Sequence, residues 1–171
     1  MFVDESGFQL LPALVKTWAP RGQTPILCTP LTWKHLSVIG GITREGNLYT
    51  WVLDHSVKGE DVVFFLRHLL RQIPGKVLVI WDGLPAHRSK RVQRFLSEEA
   101  NGRLWLARLP AYAPDLNPIE ALWSYLKQVE LKNLCCHSLA QLRAQLRLAV
   151  ERLRHKTHII LSCFQQQQCY L

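Results

Sequence analysis

Three acidic residues lie where they could hold divalent metal ions. Asp4 lies on the first predicted strand, Asp82 directly follows the apolar run KVLVIW, and Glu120 lies in the first turn of a predicted helix. Converging carboxylates repel one another unless a cation neutralises them, and oxygen ligands without thiolate or imidazole suit Mg²⁺ or Mn²⁺. Two such ions, roughly 3.5–4 Å apart, stabilise the attacking and leaving oxygens of an in-line phosphoryl displacement. The trio therefore indicates metal-dependent phosphoryl chemistry, and together with a basic surface it points to the cutting or joining of nucleic acid strands.

The two aspartates also have a structural interpretation. Asp4 stands in Asp-Glu-Ser-Gly and Asp82 in Asp-Gly, and both strings are typical of turns. Glu5 and Asp115 are rival ligands by position. Asp115 is better explained as a residue that closes a turn in a proline-rich loop. The residues alone leave these alternatives open.

Glu120 has the strongest structural alternative. Asn117 as N-cap, Pro118 at the first helical position and Glu120 at the third would form a capping box. In that interpretation the carboxylate serves the helix and not a ligand.

The elements that must position these acids begin as a β-meander. Turn chemistry separates short apolar runs, and Glu45-Gly46-Asn47 is predicted to form a hairpin turn. A fourth alternating run makes the number of strands three or four. The runs are Met1–Gln9, Leu14–Ala19, Lys34–Thr43 and Leu48–Leu53.

After the meander the apolar period becomes helical, and helices then alternate with short buried strands. This order predicts an α/β fold with a mixed sheet, antiparallel strands first and parallel strands after. If the first strand is central and lies beside the strand that ends at Asp82, the two aspartates meet. The predicted helices are Lys58–Ile73, Ser89–Ala100, Pro118 to about Val129 and Ser138 to about His155, and the strands are Lys76–Trp81 and Leu104–Leu109.

Composition and charge favour a globular protein with a polyanionic partner. The 171 residues are 48% hydrophobic and 20% charged, as in a folded domain. Residues 82–171 hold 13 basic and 7 acidic groups, which is +6 of the total net charge of +8. Such a basic half suggests nucleic acid. We expect no membrane span and no signal peptide, because no apolar run is long enough and the start has no basic region.

Several other site classes are excluded. The five cysteines are odd in number and form no CxxC pair, so we expect reduced thiols and no zinc site at Cys135, Cys136 and His137. The chain has no GxGxxG and no P-loop motif, which argues against dinucleotide and ATP binding.

Basic residues on two predicted helices are candidates for contacts with a DNA backbone. One set lies on the helix that begins near Asp82, and the other lies on the last helix. For any single member, a solvated helix face explains the charge equally well. The candidates are Arg88, Lys90, Arg91, Arg94, Arg143 and Arg147.

Three sequence blocks resemble the transposases of the mariner superfamily, in its bacterial insertion-sequence branch. The blocks are FVDESGF, VIWDGLPAHRS and LPAYAPDLNPIEALWSYLK, and the third is the most specific. The resemblance covers Phe2 to about Lys127 and is weaker through the last long helix. It implies a ribonuclease-H-like fold and a DDE-type enzyme, a DNA endonuclease and strand transferase that depends on Mg²⁺ or Mn²⁺, with two ions in its site.

Carried over position by position, the resemblance implies that Asp4, Asp82 and Glu120 are both the catalytic triad and the metal ligands. The first Asp of FVDE is the matching position, so Asp4 is preferred to Glu5. Asp82 and Glu120 are 38 positions apart, in keeping with the family's usual interval.

Further residues are expected near the triad. His87 matches a histidine common in the family and is expected at the mouth of the site, where it would position water or contact a phosphate. A surface histidine after a turn is the equal alternative. Asn117 is a second accessory candidate. Gly83 stands where many relatives have asparagine, which removes a possible amide beside the metal ligands.

The resemblance also implies partners and a domain organisation. Residues 1–171 are expected to form a single DDE catalytic domain. Transposases of this type resemble a helix-turn-helix DNA reader followed by the catalytic domain, and this chain starts at the first catalytic strand. We therefore expect the reader to be absent or to be a separate polypeptide. The other expected partners are transposon ends, target DNA and a second copy of the chain, in the bacterial cytoplasm at the nucleoid.

Two alternatives to an active transposase remain at this point. One keeps the fold without the reaction, as a DNA-binding or dimerisation module left from a degraded element. The other is a different ribonuclease-H-like nuclease that acts on RNA–DNA hybrids or junctions. The PAYAPDLNPIE block weighs against the second of these.

Overall fold

A five-stranded mixed sheet lies between two groups of helices in the computed structural model, which describes residues 1–29, 31–100, 102–110 and 113–166. The strands are β1 (Phe2–Gln9), β2 (His35–Ile42), β3 (Leu48–Leu53), β4 (Val77–Trp81) and β5 (Leu104–Arg108). The helices are α1 (Gly59–Gln72), α2 (Lys90–Glu98), α3 (Pro118–Tyr125), α4 (Leu139–Arg154) and α5 (Thr157–Gln166).

The sheet has the order β3-β2-β1-β4-β5. β1, β2 and β3 pair antiparallel, whereas β4 pairs parallel to β1 and β5 pairs parallel to β4. The predicted change from meander to parallel strands is therefore confirmed. The meander has three strands in this sheet. The alternating run at Leu14–Ala19 forms no strand, and Leu14 and Trp18 in it are exposed.

The central position of β1 brings two of the predicted ligands together. Phe2 pairs with Ile80 in the parallel ladder, and the same register continued by two residues sets Asp4 beside Asp82. On its other side Asp4 pairs with Gly40 of β2. The condition of that prediction, a central β1 beside the strand that ends at Asp82, is thus confirmed by the topology.

Each face of the sheet is covered by a hydrophobic core. On one face β1 and β2 pack against α3, α4 and α5, and on the other the strands pack against α1 and α2. Successive side chains of a strand point to opposite faces. Phe2 therefore joins the first core and Val3 the second, and the next pair, Asp4 and Glu5, divides in the same way.

The C-terminal part differs in detail from the prediction. The helix that starts at Pro118 continues as a π-helical turn over Leu126–Glu130, so its predicted extent is confirmed. α5 was not predicted; it buries Ile160, Cys163 and Phe164 at helical spacing. Three prolines in nine residues predict irregular structure for the block 110–118, yet it contains a short 3₁₀ turn at Pro114–Leu116.

The cysteines within the described residues are free thiols, as expected. Cys28 is exposed, whereas Cys136 and Cys163 are buried. Burial raises the pKa of the Cys163 thiol to about 11, which keeps it protonated and unreactive. Cys169 lies outside the described residues, as do Ala111 and Tyr112 of the proline-rich block.

Candidate active site

The three predicted acids line one open cleft of about 440 Å³ at the carboxyl ends of β4 and β5. Asp4 enters it from the middle of β1, Asp82 from the residue after β4, and Glu120 from the first turn of α3. Ligand crevices of open α/β sheets lie at this edge. Three chain segments that are distant in sequence therefore converge where the topology favours a ligand.

Asp4 is the buried member of the trio, with 5% of its surface exposed. Its Oδ2 accepts a hydrogen bond of 2.9 Å from Nε1 of Trp123. Burial, followed by the negative charges of Glu120 and Glu5, raises the pKa of Asp4 to about 7, although the Trp123 bond opposes the rise. Asp4 is thus a carboxyl group that needs a positive neighbour to stay ionised at neutral pH.

Trp123 reaches Asp4 because Gly40 leaves room for its ring. A β-carbon on Gly40 would overlap the six-membered ring of Trp123. Two adjacent glycines within a strand predict either a bulge or the close approach of another element. The ladder from Phe2 to Gln9 is unbroken, so the structure has the close approach and no bulge here.

Asp82 is held by the turn that follows β4. Its Oδ1 accepts a hydrogen bond of 3.0 Å from the backbone N–H of Leu84, so the turn interpretation is also correct for this residue. The side chain remains 40% exposed toward the cleft. A turn that fixes one oxygen and exposes the carboxylate is compatible with a ligand role.

The capping box proposed as the alternative for Glu120 is not formed. Pro118 does occupy the first position of α3, but the Asn117 side chain makes no capping bond. Instead Asn117 is buried against the cleft, and its Oδ1 has no hydrogen-bond partner in the described part of the chain. Glu120 is exposed on the cleft side of the helix. Asn117 thus lines the same cleft as the three acids, and its side chain does not cap the helix.

His87 lies beneath the cleft and not at its mouth, so both the expected mouth position and the surface alternative are wrong. It is buried, and its ring stacks on Trp81 with 4.1 Å between centroids. Its Nε2 lies 2.7 Å from Oε1 of Glu5, and its Nδ1 lies 3.0 Å from Oδ1 and 3.3 Å from the backbone carbonyl oxygen of Asp82. The short 3₁₀ turn Pro85–Arg88 carries the ring inward.

The pKa of His87 is raised by these contacts. Burial acts to lower it, but the hydrogen bond and charge of Glu5 and the contacts with Asp82 outweigh burial. Both ring nitrogens face acceptors, which favours the doubly protonated ring. His87 thus joins Glu5, on one face of the sheet, to Asp82 at the strand end.

Glu5, Asp82 and His87 also form a compact group of metal-ligand type. Their ligand atoms lie within 4.8 Å of one another, and within the described ranges no other group is as close. The three acids of the predicted triad share the cleft but stand further apart, as expected for carboxylates that repel one another. Glu5 is therefore the structural rival, as the sequence indicated. Asp115 lies in the exposed 3₁₀ turn and is absent from the cleft wall.

Arg108 is a cleft residue that the sequence analysis missed. It is the last residue of β5 and lines the wall beside Gly83. The signal that could have found it is the one that found Asp82, because both stand where parallel strands end.

The basic candidates are placed unevenly around the cleft. Arg88 ends the 3₁₀ turn and precedes α2, so its predicted place on that helix is wrong. Arg91 and Arg94 form ion pairs with Glu60 (2.6 Å) and Glu98 (2.8 Å). Two positions on α4 complete the set: Arg143 donates a hydrogen bond to the carbonyl oxygen of Val52, and Arg147 is exposed. Lys90, at the start of α2, is exposed as well.

Comparison with known proteins shows the family of the chain by a family model and its fold by solved structures. A family model described as DDE superfamily endonuclease matches residues 1–143. The chain is 26% identical over 153 residues to an insertion element IS630 uncharacterized 39 kDa protein of Shigella sonnei, across 88% of this chain and 44% of that protein.

Two solved structures share the architecture. The mariner Mos1 paired end complex with Mg is similar over 98% of this chain and 52% of that chain, with a TM-score of 0.70 and 18% identity. The catalytic domain of Mos1 mariner transposase is similar over 99% of this chain and 83% of that chain, with a TM-score of 0.55 and 18% identity. The expected ribonuclease-H-like fold is thus confirmed. The chain spans about half the length of the Shigella relative and of the Mos1 chain in the complex.

Proposed function

The chain belongs to the family of DDE superfamily endonucleases, and from this premise we propose that it performs the DNA cleavage and strand transfer of transposition. The observation that carries the proposal is the common cleft of Asp4, Asp82 and Glu120. In the proposed reaction, water attacks a phosphodiester in line and the P–O3′ bond breaks. The freed 3′-OH then attacks a phosphodiester of the target DNA, forming a new P–O3′ bond and releasing a target 3′-OH.

The donors in the cleft fit a hard divalent cation. Three carboxylates and the amide oxygen of Asn117 are all oxygen ligands, as Mg²⁺ and Mn²⁺ prefer. Leaving the buried Asn117 Oδ1 without a partner costs about 1–3 kcal/mol, and a nearby cation or its water would supply one. Burial, and after it the negative charge of Glu120, raises the pKa of Asp4 in the same cleft. We propose that Asp4, Asp82 and Glu120 hold two Mg²⁺ or Mn²⁺ ions.

Such ions, when bound, activate the attacking oxygen and stabilise the leaving 3′ oxygen. The protein's part is to hold the three carboxylates on rigid elements. Asp4 is fixed inside β1 by Trp123, and Asp82 is fixed by the Leu84 N–H and by His87. Glu120 is the exposed member, so its longer side chain can turn toward the bound ions and the DNA.

The compact group of Glu5, Asp82 and His87 is assigned a positioning role in this proposal. Each nitrogen of the His87 ring already faces an acceptor, at 2.7 and 3.0 Å. A doubly protonated imidazole has no lone pair to offer a metal. When protonated, the ring also offsets part of the charge of Asp82, and its stacking on Trp81 keeps it in place.

The DNA path that we propose follows the exposed cations beside the cleft. Arg88 and Lys90 come first, because they are exposed and lie within five residues after Pro85 of the cleft wall. Arg147 on α4 is a more distant contact. The candidates on α2 that form ion pairs, Arg91 and Arg94, rank lower in the unbound protein. Exposed pairs are worth only about 0–1 kcal/mol, so DNA phosphates can compete for both arginines.

A second copy of the chain is the protein partner that we propose, through the segment between β1 and β2. This segment exposes large apolar side chains, and patches of that kind mark interaction surfaces. Asn133 anchors its base: the Asn133 side chain accepts from the backbone N–H of Val15 (2.8 Å) and donates to the Val15 carbonyl (2.9 Å). The exposed residues are Leu14, Trp18, Ile26, Leu31 and Trp33.

Among the described residues, no helix combines the length and apolar character needed to cross a membrane. The bacterial cytoplasm and nucleoid remain a prediction. A separate helix-turn-helix polypeptide likewise remains a prediction.

The proposed activity is tested by nicking of supercoiled plasmid DNA in Mg²⁺ or Mn²⁺, with EDTA as the blank. Wild-type protein and Asp115→Asn, which alters an exposed carboxylate outside the cleft, are expected to nick. Asp82→Asn is expected to fold and to lose nicking. Wild-type nicking by Asp82→Asn would contradict the proposal. Faster cleavage of an RNA–DNA hybrid than of duplex DNA would favour the other ribonuclease-H-like activity, and metal-independent DNA binding without cleavage would favour the inactive module.

A further inference from the structure

Arg108 is held in the cleft wall by the sheet itself. It pairs in register with Trp81, so it stands beside the strand end that carries Asp82. The backbone N–H of Leu109 donates a hydrogen bond of 2.8 Å to the Trp81 carbonyl, which continues the pairing past Arg108. The backbone of Arg108 is therefore fixed next to one of the proposed metal ligands.

Gly83 provides the space in which the Arg108 side chain lies. A β-carbon on Gly83 would overlap the guanidinium nitrogens of Arg108. Gly83 is not among the glycines with positive φ, so the backbone does not require glycine there. Because glycine has no side chain, the Arg108 guanidinium can lie close to Gly83, the residue directly after Asp82.

Among the described residues, Arg108 has no anionic partner. Across the ranges that the structure describes, it makes no ion pair and no side-chain hydrogen bond, although three carboxylates line the same cleft. It is also the one basic residue among the described residues of the cleft wall. Five N–H donors are thus available to a ligand in the cleft.

We propose that Arg108 binds a phosphate of the DNA strand that enters the cleft, on the Asp82 side. A planar guanidinium matches phosphate with two parallel hydrogen bonds, which fixes orientation as well as charge. The assignment rests on the proposed function, because it takes DNA as the occupant of the cleft. It adds a substrate-binding residue and gives Gly83 the role of keeping that residue in place.

The first test compares Arg108→Ala with wild type and with Arg71→Ala. Arg71 is an exposed arginine in the last turn of α1, which leads into the start of β4 and so lies at the opposite edge of the sheet from the cleft. Binding of a labelled short DNA duplex is followed by fluorescence anisotropy in Ca²⁺ at several salt concentrations. Arg108→Ala is expected to weaken binding by roughly tenfold and to lower the slope of log K against log salt by about one. Arg71→Ala is expected to change neither quantity.

A second variant separates a phosphate contact from a general effect of charge. Gly83→Ala keeps every charge but places a methyl group where the guanidinium lies, and the flexible arginine must move. It is expected to weaken DNA binding in the wild-type background and to add nothing in the Arg108→Ala background. Arg108→Lys is expected to recover part of the affinity. Mn²⁺ affinity, measured by calorimetry without DNA, is expected to be unchanged in Arg108→Ala.

The outcomes distinguish this assignment from the function on which it rests. Equal DNA affinity and salt dependence of Arg108→Ala and wild type would overturn the assignment, as would fully additive effects of the two substitutions. Failure of wild type itself to bind both Mn²⁺ and DNA would contradict the proposed function, and the assignment of Arg108 with it.

Discussion

Nε1 of Trp123 donates a hydrogen bond of 2.9 Å to Oδ2 of Asp4, across 119 residues of sequence. Trp123 lies one turn after Glu120 on α3, and its ring fits over Gly40, the residue paired with Asp4 in the ladder. This contact therefore fixes α3 against β1. The separation of Asp4 and Glu120 depends on it, and so does the shape of the cleft between them.

Asp4→Asn is expected to change the pH dependence of stability in the metal-free protein. The pKa of Asp4 is about 7 in the folded state against 3.8 for the unperturbed group. Between these values the folded state binds more protons than the unfolded state, so the free energy of unfolding of wild type falls as pH rises. The advantage of the variant over wild type should grow by up to about 4 kcal/mol between about pH 4 and pH 8.

The measurement for Asp4→Asn is urea unfolding in EDTA across this pH range. Asp115→Asn, with its exposed carboxylate, is the control and should run parallel to wild type. A constant difference between Asp4→Asn and wild type at all pH values would show that Asp4 is not a strained carboxyl group.

Trp123→Phe is expected to weaken both the fold and the metal site. Loss of the donor removes the larger of the two hydrogen bonds that lower the pKa of Asp4, so that pKa should rise further. The buried hydrogen bond and ring volume together are worth about 1–3 kcal/mol of unfolding free energy. Urea unfolding and Mn²⁺ calorimetry at neutral pH measure the two effects. The control is Trp105→Phe at a half-exposed tryptophan, which should leave Mn²⁺ affinity unchanged.

Glu5→Gln is expected to lower the pKa of His87, because it removes the partner that contributes most to the rise. The raised pKa in wild type stabilises the fold below about pH 6.5, the unfolded value, and the gain is lost as pH rises through the folded pKa. In Glu5→Gln, this contribution of His87 should be smaller, so the free energy of unfolding should fall less as pH rises through the folded pKa of His87. NMR titration of the His87 ring in both proteins is the measurement, and an unchanged midpoint would contradict the link.

Gly40→Ala is expected to lower the free energy of unfolding by about 1–3 kcal/mol, because the added methyl group overpacks against the Trp123 ring. Gly7→Ala is the matched control. Gly7 lies in β1 and a β-carbon there would meet nothing within 4 Å, so stability should be unchanged or slightly raised. Equal stability of the two variants in urea would show that Gly40 is not needed for close approach.

Local pattern was sufficient to predict the strands, most helices and the convergence of Asp4 with Asp82. The period of the apolar residues predicts where strands end and where crossover helices lie. The edge of the sheet at which the parallel strands have their carboxyl ends then follows from the topology. The burial of His87 and the unpaired Asn117 could not be predicted in this way. Both depend on how a short turn and the start of a helix pack against the sheet. The residues adjacent to them in sequence do not predict that packing.

The different partners of Asp4 and Glu5 could likewise be predicted only in part from the sequence. Alternation along β1 predicts that they face opposite sides, but only the packing shows that Trp123 lies on one side and His87 on the other. Arg108 was missed because an isolated arginine at the end of an apolar strand belongs to no motif. Its importance depends on Gly83, which is 25 positions earlier in the chain.

The central claim, that Asp4, Asp82 and Glu120 hold the divalent cation, is tested most directly by calorimetric titration of the metal-free chain with Mn²⁺. Wild type and Asp115→Asn are expected to bind alike, and Glu5→Gln is expected to bind within a few-fold of wild type. Asp4→Asn, Asp82→Asn and Glu120→Gln should each lose affinity by more than roughly tenfold. Wild-type affinity in Asp4→Asn and Glu120→Gln, together with its loss in Glu5→Gln, would contradict the account and assign the metal to Glu5, Asp82 and His87.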